Sequence, residues 1–187
     1  MPLLRRSTVV TASVQDSRLQ RRFDLWDANG DGVIDRSDYE TEARRILSAF
    51  DEHETSPKGR ALVHAYLAMW DKLGHMTGVG PYGAVSREQF LAAAEREVVE
   101  GGDAGFDRSL RPTIEAMVDL CDTDGDGEVS PEEFTRWLRA MGVQGRQAGT
   151  AFEQIDRDGS GRLSVEELVA AVRDYHQGKH DIPLLGR

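Results

Sequence analysis

Asp122, Asp124, Asp126 and Glu133 occupy the first, third, fifth and twelfth places of a twelve-residue stretch whose sixth residue is Gly127. Carboxylates crowded this closely repel one another unless a cation lies among them. Their oxygens are hard donors, and a mid-stretch glycine lets the chain turn sharply enough to wrap one ion. Ca2+ takes six to eight such oxygens at roughly 2.3–2.6 Å. The backbone carbonyl of Glu128 adds a donor, Ser130 adds a direct or water-mediated one, and Glu133 offers both carboxylate oxygens. This spacing suits reversible binding of a divalent cation.

The pattern recurs. The stretch 156–167 offers Asp156, Asp158, Ser160, the Arg162 carbonyl, Ser164 and Glu167. It has one acidic ligand fewer than 122–133, which predicts weaker binding. The stretch 27–38 offers Asp27, Asn29, Asp31, the Val33 carbonyl and Asp35, and ends in Asp38 rather than glutamate. One methylene shorter, Asp38 reaches less easily as a two-oxygen ligand, which favours Mg2+ or weaker Ca2+ binding. The remaining copy, second in chain order at about 78–89, holds Gly78, Gly80, Tyr82, Ser86 and Gln89 at the ligand positions, with no carboxylate among them. It is expected to hold no ion and to serve as a scaffold, pairing Val85 with Ile34 as Val129 pairs with Leu163.

Gly78, Gly80 and Gly83 also satisfy G-x-G-x-x-G, the spacing of a dinucleotide loop. Such a loop must follow a β-strand. Leu62, Val63, Tyr66, Leu67, Trp70 and Leu73 instead recur at three- and four-residue steps, the period of a helix with one apolar face. The nucleotide reading fails on that element.

The same alternation of helix and loop surrounds every copy. Phe23 and Trp26 precede the first loop, Ile114, Met117, Val118 and Cys121 the third, and Phe152 and Ile155 the fourth. Ser86, Ser130 and Ser164 stand where an N-cap accepts the free amides of the next helix, and Pro131 sits just inside its helix, where a missing N–H costs nothing. Gly101 and Gly102 suggest a helix end, and Pro112 predicts a late start or a kink in the helix before the third loop. The prediction is an all-α chain of four helix–loop–helix units. Residues 1–102 form an N-terminal pair, 103–176 a C-terminal pair and 177–187 a tail. In that tail Ile182, Leu184 and Leu185 either fray or plug a groove.

These loops are identified as EF-hands. With "DANGDGVID", "DTDGDGEVS" and "DRDGSGRLS", a decayed second repeat and a wide first spacing, the chain resembles the calerythrins and sarcoplasmic calcium-binding proteins over roughly residues 16–176. The resemblance implies a compact globule of two paired lobes acting as a cytosolic calcium buffer or modest sensor.

Bulk composition points the same way. A net charge of −10, from 33 acidic and 23 basic residues, repels phosphate backbones and anionic lipid. Nucleic acid and membrane are therefore not expected partners; calcium ions are. No segment reaches the roughly 18 apolar residues of a membrane span, and the N-terminus lacks an apolar run of signal-peptide length. A single cysteine gives no disulfide within one chain and suits a reducing, cytoplasmic compartment. Cys121 reads as a packed small residue, and Trp26, Trp70 and Trp137 as core. The five histidines are scattered, and no nucleophile–base pair or phosphate loop appears, so no enzyme is predicted. The expected state is a monomer binding up to three ions, as a Ca2+ buffer or signal modulator. The alternative is a sensor that exposes an apolar groove to a target protein.

Overall fold

The computed structural model describes residues 19–143, 148–177, 179–182 and 184. Within them, helix α1 (19–26) leads through a loop to strand β1 (Val33–Asp35) and helix α2 (Arg36–Ala49). Helix α3 (Pro57–Thr77) leads to strand β2 (Ala84–Ser86) and helix α4 (Arg87–Cys121). Helices α5 (Pro131–Ala140), α6 (Ala148–Ile155) and α7 (Val165–His176) complete the mostly helical fold.

Local chemistry sets the helix starts. Ser86, Ser130 and Ser164 cap α4, α5 and α7 as expected, each accepting from the amide three residues on. Each cap is reciprocal: the third helical residue (Gln89, Glu133 or Glu167) returns its side chain to the cap's own amide. Asp35 and Asp38 form the same box on α2. Ser56 caps α3 through Gly59 N at 2.9 Å, with Pro57 in the first turn. The break in α4 falls at Gly102, with φ 53° and ψ −170°, while Pro112 lies inside the following helical arm. The late start expected from Pro112 is thus corrected. Gly102 reaches a positive φ at little cost, so the chain bends there, while Pro112 gives up one intrahelical hydrogen bond and crowds the carbonyl four residues back without breaking the arm.

Strands β1 and β2 pair antiparallel, with Ile34 opposite Val85. Val129 and Leu163 form an isolated bridge, exchanging N–H···O bonds of 2.9 Å in both directions. These are the contacts expected from the eighth loop positions. A contiguous core runs beneath both halves. It takes in Trp26, Trp70, Trp137, Phe134, Met117 and Cys121. Burial raises the Cys121 thiol well above its ordinary pKa, which suits a packing role. Across the halves, Arg45 Nη1 donates to Ala140 O at 2.6 Å, Arg136 Nη2 to Phe50 O at 2.9 Å and Lys58 Nζ to Asp122 O at 3.0 Å. The tail plugs rather than frays at the described positions. Ile182 and Leu184 are buried, and Trp137 Nε1 donates to Leu184 O at 3.0 Å. Leu185 and residues 1–18 lie outside the described residues. Among those described, no helix is long and apolar enough to cross a membrane.

Candidate metal centres

Three loops share one internal wiring. The first carboxylate accepts amides from across the turn. Asp27 takes Asp31 N and Gly32 N at 3.0 and 2.9 Å, Asp122 takes Gly125 N and Gly127 N at 2.6 and 2.9 Å, and Asp156 takes Ser160 N and Gly161 N at 3.1 and 3.0 Å. The third residue accepts the amide of the fifth, at 2.8 Å for Asn29, 3.4 Å for Asp124 and 2.9 Å for Asp158. The fifth residue, Asp31, Asp126 or Ser160, accepts the amide of the seventh at 3.0, 2.9 and 3.3 Å. The sixth-place glycines, Gly32, Gly127 and Gly161, have φ of +89°, +80° and +77°, where a side chain would be strained.

The twelfth residue closes each loop. Glu133 Oε1 accepts Thr123 N and Thr123 Oγ1 at 2.7 and 2.6 Å, while Oε2 accepts Ser130 N and Oγ, both at 2.9 Å. Burial pushes the Glu133 carboxyl up, but these four hydrogen bonds outweigh it and hold the pKa at about 2. Glu167 repeats the arrangement, accepting Arg157 N, Ser164 N and Ser164 Oγ, each at 2.9 Å. Burial also raises Asp122, and the Gly127 and Gly125 amides more than reverse it.

Two sets of carboxylates converge. Asp122, Asp124 and Asp126 bring one oxygen each within 4.8 Å of one another, and so do Asp156, Asp158 and Glu167. Hard oxygen donors, turned together and backed by amide dipoles, suit a divalent cation with oxygen coordination.

The similarities to known proteins agree. An EF-hand family model matches residues 19–41, 119–138 and 149–172. Over 177 residues the chain is 38% identical to calerythrin of Saccharopolyspora erythraea, covering 95% of this chain and 100% of that one. The chain belongs to the EF-hand family. It is a calcium-binding EF-hand protein related to calerythrin. It is also 30% identical to the luciferin-binding protein of Renilla reniformis, covering 94% of each. A solved calcium-binding protein of Streptomyces coelicolor superposes with a TM-score of 0.73 at 32% identity, over 87% of this chain and 98% of that one.

The first EF-hand loop differs from the other two. Among the described residues, Asp27, Asp31, Asp35 and Asp38 do not converge as a set. Asp38, only 2% exposed, spends its oxygens on Ala28 N at 3.1 Å and Asp35 N at 2.8 Å. Burial is the main reason its pKa lies above the ordinary carboxylate value, with Asp35 adding repulsion. Asp35 Oδ1 is occupied by Ser37 N and Oγ, both at 2.7 Å.

The second loop departs further from the EF-hand path. Gly78 is the left-handed C-cap of α3 and Gly80 also has positive φ, but Gly83 does not. The sixth-place glycine in this copy answers a different need, since a Cβ there would run into the Val79 carbonyl and side chain. Trp70 Nε1 fixes the turn by donating to Pro81 O at 3.2 Å. Gln89 keeps the capping role of a twelfth residue without its charge.

Arg162 carries a role that the ligand pattern does not reveal. Its guanidinium leaves its own loop and pairs with Asp126 Oδ2 at 2.6 Å and Asp124 Oδ2 at 3.2 Å of the neighbouring loop. The bridge between Val129 and Leu163, adjacent to Arg162, brings the two loops together. A cation beside the seventh-place carbonyl was the available signal, once the eighth residues were paired.

Proposed function

We propose that this protein is a cytoplasmic calcium buffer or signal modulator without catalysis, binding up to three divalent ions. In this reading Asp27, Asn29, Asp31, Val33 O, Asp35 and Asp38 hold Mg2+ or weakly held Ca2+. Asp122, Asp124, Asp126, Glu128 O, Ser130 and Glu133 hold Ca2+ most firmly, and Asp156, Asp158, Ser160, Arg162 O, Ser164 and Glu167 hold the third ion. The convergence of Asp122, Asp124 and Asp126, against amides already turned to receive their charge, carries the reading. Four helix–loop–helix units form two pairs, 1–102 and 103–176, followed by the 177–187 tail in a monomer. The Ile34–Val85 pairing and the Val129–Leu163 bridge support this division.

Buffering is favoured over target capture because the apolar surface is already covered. Met117, Met141, Ile182 and Leu184 are buried, and Tyr82 is the large apolar side chain left open among the described residues. The second reading, a sensor, rests on the Streptomyces neighbour, a protein of calcium-mediated regulation. Calcium-dependent retention on a hydrophobic column is the sensor's outcome, and free passage in both states is the buffer's.

Calorimetric titration with Ca2+, with and without excess Mg2+, tests the sites. Three are expected, one of them surrendered to Mg2+. Glu133→Gln should delete the 122–133 site and spare 27–38. Gln89 shows that an amide can close the capping box, so the exchange keeps the contact to Ser130 N while giving up the acceptor that faces Thr123. A titration unchanged by Glu133→Gln overturns the ligand assignment.

A further inference from the structure

A cavity of about 260 Å³ lies away from the acidic loops, between α1, α3 and both arms of α4. Its walls are largely apolar, from Ala65, Met69, Met76 and Phe90 among others, yet its charged lining has one sign: Arg22, Lys72 and Arg108. Among the described residues no aspartate or glutamate lines it, in a chain carrying 33 of them. Arg22 Nε is buried without a hydrogen-bond partner among the described residues, although its guanidinium lies 5.9 Å from the Phe90 ring centroid. A buried donor left unmade costs free energy, and a guanidinium fork matches a carboxylate in shape and charge. Lys72 Nζ donates to Ser109 Oγ on the facing arm. Thr113, buried in the wall, donates to Met69 Sδ at 2.8 Å, a weak acceptor.

We propose that this cavity binds a small amphipathic organic anion, its apolar body among the alanines and methionines and its carboxylate against Arg22 and Lys72. The volume exceeds the roughly 150 Å³ that encloses a benzene ring and falls short of the roughly 300 Å³ at which drug-sized pockets begin. A two-ring or short-chain acid therefore fits. The site uses no loop carboxylate and stands whether or not the ion count above is right.

The probes are 1-naphthoate, neutral 1-naphthylmethanol and cationic 1-naphthylmethylammonium, titrated calorimetrically into the full chain at fixed calcium. Naphthoate should bind one to one, about tenfold or more tighter than the alcohol, the difference a charge-assisted bond makes. The ammonium should bind more weakly still. Arg22→Gln should bring naphthoate down to the level of the alcohol, and Ala94→Trp, which fills the cavity, should abolish binding of both. Should Ala94→Trp fail to fold, Arg22→Gln alone decides. No naphthoate binding, an ammonium that binds as well, or naphthoate affinity indifferent to Arg22→Gln would each overturn the proposal.

Discussion

Arg162 joins two loops with opposite tasks. Its carbonyl accepts Ser160 Oγ at 2.9 Å inside its own loop, while its guanidinium neutralises Asp124 and Asp126 in the loop beside it. A cation entering 122–133 must displace that internal charge, so the side chain competes with the ion. Arg162→Gln should strengthen calcium binding at 122–133 a few-fold and leave 156–167 nearly unchanged, because the backbone carbonyl stays. The same titration reads it, and a weaker 122–133 site in the variant would contradict the competition. The places of the acidic residues were legible one by one from the twelve-residue spacing, but their convergence was not: Asp122, Asp124 and Asp126 come together, and Asp27, Asp31, Asp35 and Asp38 do not. The guanidinium was not legible either, because its partners lie 38 and 36 residues away and depend on how two loops pair.

At the scale of elements, helix ends and their anchors decide what moves. Gly59, in the first turn of α3, packs where a Cβ would strike the His53 carbonyl oxygen and the Glu54 backbone. Gly59→Ala should cost about 1–3 kcal/mol in denaturant unfolding, the range of overpacking against a backbone that cannot retreat. Helix α7 is tied down by Asp174, whose Oδ1 takes Lys179 Nζ at 2.7 Å and whose other oxygen takes Arg157 of the fourth loop. Burial raises this carboxyl, but the hydrogen bonds and charges of Lys179 and Arg157 prevail and set its pKa below the ordinary 3.8. A carboxyl lowered on folding stabilises above its unfolded pKa and loses that contribution as pH falls through its folded pKa. Asp174→Asn should therefore melt below the parent at pH 7, by about 1 kcal/mol of stability, and the gap should close under pH 3.8. A gap that widens with acid would refute the ion-pair account. The serine caps were readable in advance because capping is local. The break at Gly102 was legible too, from the glycine pair at 101–102; that Pro112 stays inside the following arm was not, because packing decides whether a proline ends a helix.

For the whole molecule, calcium and the tail act on one core. An ion that binds only the folded chain stabilises it by mass action, about 2.7 kcal/mol per site at a hundredfold excess over Kd. The tail closes that core from outside. Removing residues 182–187 should cost about 3 kcal/mol, from two aliphatic side chains re-exposed and the Trp137 indole N–H left without Leu184 O. It should also shift tryptophan fluorescence to the red and create retention on a hydrophobic column. A truncated chain as stable as the parent would show that the tail does not close the core.

What the sequence determined by itself is what lies within one loop's reach: three oxygen-rich bends, a fourth without charge, the caps that start the helices after them and the aliphatic residue at each eighth place. Each is fixed by spacing of a dozen residues or fewer, over which bond geometry leaves little choice. The tertiary structure alone decided where charges and voids from distant segments meet. The Arg162 pairing, the closure of Leu184 over Trp137 and the cation-lined cavity between α1, α3 and α4 all join residues dozens of positions apart. Contacts at such separations exist only once the core has packed, because packing selects one arrangement among the many that the local pattern permits.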